Sequence, residues 1–173
     1  MREETKQALS QTYRDFRLPL YREIPDVGLY LEQVTKFIGE ALGPLGCEVL
    51  TGRMVSNYVK KGLIRSPEKK QYRRDQIAQL MFIALAKSVM SLDGLTTLIR
   101  LQERTYPTEV AYEYFRMELE NMLAYVFGLK DRADTVGVDR SDEKTMLRNC
   151  IVAISHKLYL EKYTAAVAAE TEG

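Results

Sequence analysis

The chain has 173 residues, of which 46% are hydrophobic and 28% charged, and a net charge of +1. That balance fills the core of one ordinary domain, or of one domain with a helical extension, and excludes an intrinsically disordered chain. Spanning helices are excluded too, because no stretch approaches the roughly 20 apolar residues a span requires, and the opening Met1-Arg-Glu-Glu lacks the apolar run of a secretory signal.

Residues 3–16 read as a polar, charged helix that stops before Leu18-Pro19. Leu18 to Pro25 is a connector, since its two prolines disfavour helix at the residues before them. Asp26 is placed to N-cap the next helix, whose apolar stripe Val27, Leu31, Val34, Ile38 and Ala41 follows the helical period. Gly43-Pro44 ends it, and Gly43-Pro44-Leu45-Gly46 makes a tight loop.

Thr51 is the expected N-cap of a short helix reaching Lys61, with Gly62 as its left-handed terminator. Met54, Val55, Tyr58 and Val59 fall on one side of it. Arg53, Ser56, Asn57, Lys60 and Lys61 fall on the other, at i, i+3, i+4, i+7 and i+8. The first set seats a helix on a core, and the second offers donors to phosphates and base edges. Leu63-Ile64-Arg65 and Lys70-Gln71-Tyr72 then read as two short strands joined through Ser66-Pro67-Glu68-Lys69, a basic hairpin. Between Thr51 and Arg74 stand eight basic residues and one acid, Glu68, so this window carries +7 and the rest of the chain −6. Charge gathered in this way is the footprint of phosphate contact.

A long helix follows from about Arg74 to Met90, apolar almost all round and so buried on several sides. Ser91 caps the next, with Leu92, Leu95, Leu98 and Ile99 inward. These two are expected to pack behind the helix at Thr51–Lys61. Pro107 opens a further helix with the stripe Val110, Tyr114, Phe115, Leu119, Met122, Leu123, Val126 and Phe127, which ends at Gly128. Lys130 to Arg140 is a polar loop. Ser141 then caps a final helix with Asp142 and Glu143 against its dipole and Leu147, Cys150, Ile151, Ile154 and Leu158 inward. Residues 165–173 are expected to fray. The last two helices make an antiparallel hairpin with surplus apolar surface, to be covered by the N-terminal helices, a ligand or a second subunit. Tyr112, Tyr114, Phe115, Tyr125 and Phe127 read first as core and interface, with an effector pocket as the alternative.

Across residues 50–77 the run Leu-Thr-Gly-Arg-Met-Val-Ser-Asn-Tyr-Val-Lys-Lys-Gly-Leu-Ile through Lys-Lys-Gln-Tyr-Arg-Arg-Asp-Gln-Ile resembles the MerR-type winged helix. More closely it resembles a bacterial family, the domain of unknown function numbered 1836, with similarity reaching back through Leu18-Pro-Leu-Tyr21 and Ile24-Pro-Asp26 and forward to about Ile99. The resemblance implies a mainly α fold built on a winged helix-turn-helix. It makes Asn57 and Tyr58 the recognition contacts and puts Lys70 where such wings carry a phosphate-contacting arginine. Ser56 stands where MerR proteins have an arginine, and Arg73 replaces the hydroxyl residue that caps the helix after the wing. The long dimerisation helix of that family has no counterpart here.

The resulting expectation is a mainly α protein in three parts. Residues 1–25 form an N-terminal helix and connector, 26–104 a winged helix-turn-helix with a small β-hairpin wing, and 105–173 a helical hairpin for dimerisation or an effector. Double-stranded DNA is the expected partner, bound by a cytoplasmic homodimer acting as a transcriptional regulator. Candidate contacts are Arg53, Ser56, Asn57, Tyr58, Lys60, Lys61, Arg65, Lys69, Lys70, Tyr72, Arg73 and Arg74. The alternative is a protein-interaction module whose basic patch binds an acidic partner. RNA is less favoured, with only Tyr58 and Tyr72 to stack on bases near the patch. No catalytic constellation, cofactor site or metal site is expected. His156 is the sole histidine, Asp142-Glu143 is a capping pair, and no glycine-rich phosphate loop or zinc spacing occurs. Cys47 and Cys150 match no disulfide or metal pattern and read as ordinary thiols of a reducing compartment.

Overall fold

The computed structural model describes residues 2–137 and 140–172, the side chain of Glu172 excepted. The protein is mainly helical, with one two-stranded sheet. Helix α1 covers Glu3–Arg14, and its Tyr13 stacks on Phe127 with ring centroids 3.7 Å apart. After a connector come β1 (Leu29–Tyr30), α2 (Leu31–Leu42), α3 (Gly52–Lys60), β2 (Gln71–Tyr72) and α4 (Arg74–Ala86). The chain closes with α5 (Leu92–Thr105), α6 (Thr108–Val126) and α7 (Asp142–Glu172).

Helix α4 is the axis of the fold. Every residue from Gln76 to Ala86 is buried, as the absence of a polar face in that segment dictates. It stops at Ala86, one turn short of the expected Met90, because Ser88, Val89 and Met90 turn back onto Leu85 and Ala86. Helices α2, α5, α6 and α7 each pack against it. The longest interface joins α6 to α7, the expected C-terminal hairpin. Phe115, Leu119, Leu123, Ile151 and Ile154 on these two helices are essentially inaccessible. With α1, α4 and α5 also laid on them, most of the surplus apolar surface is absorbed within the chain. Val110, placed on the inward stripe by periodicity, is half exposed.

Local signals are obeyed where one residue suffices to make them. Ser91 Oγ accepts from Gly94 N, Ser141 Oγ accepts from Lys144 N, and Gly128 has φ +71° just past α6. Signals that depend on distant partners are not. Asp26 does not cap a helix and Val27 is 80% exposed. The helix starts four residues later, at Leu31, where the Tyr30 amide donates to Gln33 Oε1 at 2.9 Å. Residues 24–30 are instead drawn out along the start of α4: Arg74 Nε donates to the Ile24 carbonyl at 2.7 Å, and Arg73 to that of Asp26 at 3.3 Å.

The second correction concerns the expected hairpin between 63–65 and 70–72. β2 pairs antiparallel with β1, Leu29 opposite Tyr72 and Tyr30 opposite Gln71. Gly28, at φ +83°, lets the strands close, since a Cβ there would stand 2.9 Å from the Gln71 side chain. The C-terminal end is also tied down rather than frayed: α7 runs to Glu172, and the Glu170 carboxylate accepts from the Arg2 amide at 2.9 Å and from the Thr5 hydroxyl. Val138 and Asp139 of the expected polar loop, and Gly173 of the expected frayed end, lie outside the described residues.

Candidate nucleic-acid interface

Helix α3 is joined to α2 by a tight turn in which Gly46 takes φ +65° and Leu45 and Leu50 are buried as anchors. Thr51 Oγ1 accepts from the Met54 amide at 3.2 Å, the predicted N-cap. The next residue, Gly52, lies against the first turn of α2, where a Cβ would stand 3.1 Å from Leu31 Cδ2. At the other end Gly62 (φ +69°) donates to the Val59 carbonyl at 3.0 Å and Leu63 to that of Tyr58 at 2.9 Å. This pair of bonds is a Schellman cap.

The two faces of α3 separate as the spacing predicts. Val55 and Tyr58 are buried, with Met54 and Val59 packed beside them, while Arg53, Ser56, Asn57, Lys60 and Lys61 are exposed. Tyr58, at 4% exposure, therefore belongs to the core and presents no ring face to a ligand. Tyr72, at 5%, does the same beneath β2. Burial raises the hydroxyl pKa of both, helped at Tyr58 by the charge of Glu48. Both are removed from the candidate contacts. Arg74 is also committed elsewhere, to the Ile24 carbonyl and across the Tyr21 ring at 5.4 Å.

From Gly62 the chain runs alongside α3. It leaves at the C-terminal end, pinned by buried Leu63 and Ile64, and returns at β2, whose partner β1 leads straight into Leu31 and so to the contact with Gly52. At its tip Glu68 and Gln71 form a bridge closed by the Gln71 amide donating to the Glu68 carbonyl at 2.8 Å. The two central residues, Lys69 and Lys70, have φ of +48° and +66°, as in a type I′ turn. Left-handed backbone costs a residue with a Cβ about 1–2 kcal/mol, and glycine or asparagine is the usual occupant. Here two lysines take it, and both are exposed.

Gln76 locks this loop to the body. Its Oε1 accepts from the Arg73 amide at 2.8 Å and its Nε2 donates to the Arg65 carbonyl at 2.9 Å. The former bond supplies the cap of α4 that Arg73 itself does not. Arg65 pairs with Glu103 of α5 at 3.5 Å. Among the described residues, Arg53, Lys60, Lys61, Lys69 and Lys70 form no ion pair. Sequence reasoning missed Arg100 of α5, whose guanidinium reaches 3.7 Å from where a Cβ on Gly62 would be. It is 38 positions from Gly62 in sequence, so only the fold adds it to the basic region. Lys87 joins the other end of α3, but it is bound to Glu48 at 2.6 Å.

Among the described residues, no group of three or more His, Cys, Asp or Glu is placed to hold a metal ion, and no helix is long and apolar enough to cross a membrane. Cys47 is half-buried and Cys150 buried, both as free thiols, and burial pushes the Cys150 thiol up to about 11. No curated protein and no solved structure matches the chain. One family does, over residues 19–115, a span that takes in β1 to α5, the loop between α3 and α4, and the start of α6. With more than half of its length so matched, the chain belongs to the family described as a domain of unknown function, DUF1836.

Proposed function

We propose that this protein is a bacterial DNA-binding transcriptional regulator with a MerR-like winged helix-turn-helix, in which α3 reads the major groove and the 63–73 loop is the wing. The observation that carries this reading is the disposition of the +7 window. Five of its cations, Arg53, Lys60, Lys61, Lys69 and Lys70, are exposed and unpaired. Cations gathered in one stretch of chain and left open to solvent are available to the phosphates of a duplex. The lysine tip supports the same reading, because backbone strain held at two exposed lysines is of the kind that collects at functional sites.

On this reading Asn57 and Ser56 face base edges, Asn57 being suited to a bidentate contact with adenine. Arg53, Lys60 and Lys61 grip the flanking phosphates, and Lys69 and Lys70 grip the backbone beside the groove. Arg65 and Arg73 steady the wing and add to its field. A cytoplasmic homodimer on an inverted repeat would place two α3 helices in successive major-groove turns. With Tyr58 and Tyr72 buried, Tyr30 of β1, half exposed and opposite Gln71, offers a ring beside the loop, but a single ring is no platform for successive stacked bases.

Selection of genomic fragments by the purified protein at two salt concentrations, followed by sequencing, tests the proposal. An enriched inverted repeat that is lost in Asn57→Ala supports it. Salt-sensitive capture without enrichment leaves a nonspecific binder. No capture at either salt transfers the basic patch to an acidic protein partner.

A further inference from the structure

Behind the interface a half-open cavity of about 280 Å³ lies between α4, α5, α6 and the start of α7. Its wall is almost entirely carbon, from Phe82, Leu98, Ile99, Ala111, Phe115 and Leu147, with the ring of Tyr114 at one side. Protein interiors are packed like organic crystals, and voids much larger than a water molecule are few. Water does not stabilise such a space, since a buried water needs two to four polar partners and these walls offer almost none. The volume is somewhat under twice the roughly 150 Å³ that accepts benzene in an apolar protein cavity. It sits just below the range of about 300–1,000 Å³ usual for small-molecule sites.

Polar residues also line it, Gln79, Gln102, Glu143 and Lys144 among them, chiefly through their carbon atoms. Gln79 of α4 is buried and lines the cavity, and its Nε2 donates to Glu103 Oε1 at 3.1 Å. The other oxygen of Glu103 meets Arg65 of the loop at 3.5 Å. One turn earlier on the same helix, Gln76 holds the Arg65 carbonyl and the Arg73 amide. Both feet of the loop thus hang on the first turns of α4, next to the Gln79 that lines the cavity.

We propose that this cavity binds a small, neutral, apolar molecule of up to three rings, and that its occupancy is relayed to the Lys69–Lys70 loop through Gln79, Glu103 and Arg65. The regulatory half of this inference rests on the DNA-binding reading above, and the binding half does not. A ligand filling the space presses on the Gln79 carboxamide and firms its bond to Glu103. That orders the carboxylate against Arg65 and reduces the freedom of the loop it anchors. A ligand with no such differential contact would shift nothing.

The probe is N-phenyl-1-naphthylamine, which is uncharged, dim in water and bright in apolar surroundings. Titrated into the full chain, it should give saturable fluorescence at one site per chain. Ala111→Phe, which places a ring in the cavity, should weaken that binding at least about tenfold, equivalent to roughly 1.4 kcal/mol. Ala111→Leu is the milder companion should the larger ring disturb the fold, and circular dichroism checks both. Hydrogen exchange of the 65–73 amides should slow about threefold or more with the probe bound. In Glu103→Gln the probe should bind as before while the exchange stays unchanged.

Absence of saturable binding, or affinity equal to the parent's in both Ala111 variants, overturns the site. Binding that leaves loop exchange untouched in the parent overturns the relay. None of these readouts uses DNA, so a protein that binds the probe but no duplex would refute the DNA-binding reading alone.

Discussion

Gln76 donates its carboxamide to the carbonyl of Arg65 at 2.9 Å, joining the outgoing foot of the basic loop to the first turn of the central helix. The same side chain caps the Arg73 amide, so one buried residue fixes both ends of the loop. Gln76→Leu leaves a part-buried carbonyl and a part-buried amide without their partner, which costs up to about 1–3 kcal/mol each. The expected result is a lower urea midpoint together with faster hydrogen exchange confined to residues 65–73. Uniformly faster exchange over the whole chain would show that Gln76 holds the core rather than the loop.

Lys69 and Lys70 set stability against binding. Replacing both with glycine relieves left-handed strain of about 1–2 kcal/mol per residue, offset by glycine's larger entropy loss of about 0.5–1 kcal/mol. Lys69→Gly with Lys70→Gly should therefore melt at the same temperature as the parent or slightly higher, while its duplex affinity falls. A variant that loses stability would mean that the lysine side chains hold the turn in the free protein.

Tyr58 separates the core face of α3 from its ligand face. Tyr58→Phe keeps the buried ring and should leave duplex affinity unchanged. Tyr58→Ala should destabilise the fold by about 3–5 kcal/mol, as loss of a large buried ring does. Asn57→Ala, one residue earlier, should leave the melting temperature alone and relax base preference at a cost of about 1–3 kcal/mol for the favoured site. Competition assays on single-base variants of the selected site measure the difference between the two positions.

Alkali should unfold the protein from about pH 9. Burial raises Cys150 from 9.0 to about 11, and raises Tyr13 and Tyr114 from 10.0 to about 12. In each case the folded chain keeps a proton that the unfolded chain has released, so stability present below pH 9 is lost as the pH climbs through these values. Thermal melts from pH 7 to 11 should show a plateau and then a steady fall. A melting temperature unchanged up to pH 11 would contradict the burial of these groups.

Much of this architecture is legible because it is local. Thr51, Ser91 and Ser141 cap helices whose starts need only one oxygen and one amide, and Gly62 ends α3 by a backbone angle that glycine adopts freely. The faces of α3 follow from spacing alone, and that spacing already put Tyr58 on the inner side. Only the family resemblance had placed it outward. The β1–β2 pairing could not be read, since two strands of two residues, about forty positions apart, carry no periodicity. Asp26 looked like a cap because its own segment is compatible with one. The bonds from Arg73 and Arg74 that pull it straight come from a distant helix. The left-handed lysines had no signal, because lysine is not a residue that announces positive φ. The basic cluster was visible as charge, but which of its members are unpaired, and the arrival of Arg100, depend on the packing of α5.

Duplex affinity as a function of salt tests the central claim most directly, read by fluorescence anisotropy on a labelled fragment from the selection. Five phosphate contacts, one for each open cation, predict a log–log slope of about −4 to −5, at roughly −0.9 per contact. Lys69→Ala with Lys70→Ala should weaken binding to every duplex and make the slope shallower by about 2. Binding that ignores salt, or no binding to duplex even at low salt, would contradict the assignment of α3 and its lysine-tipped loop to DNA.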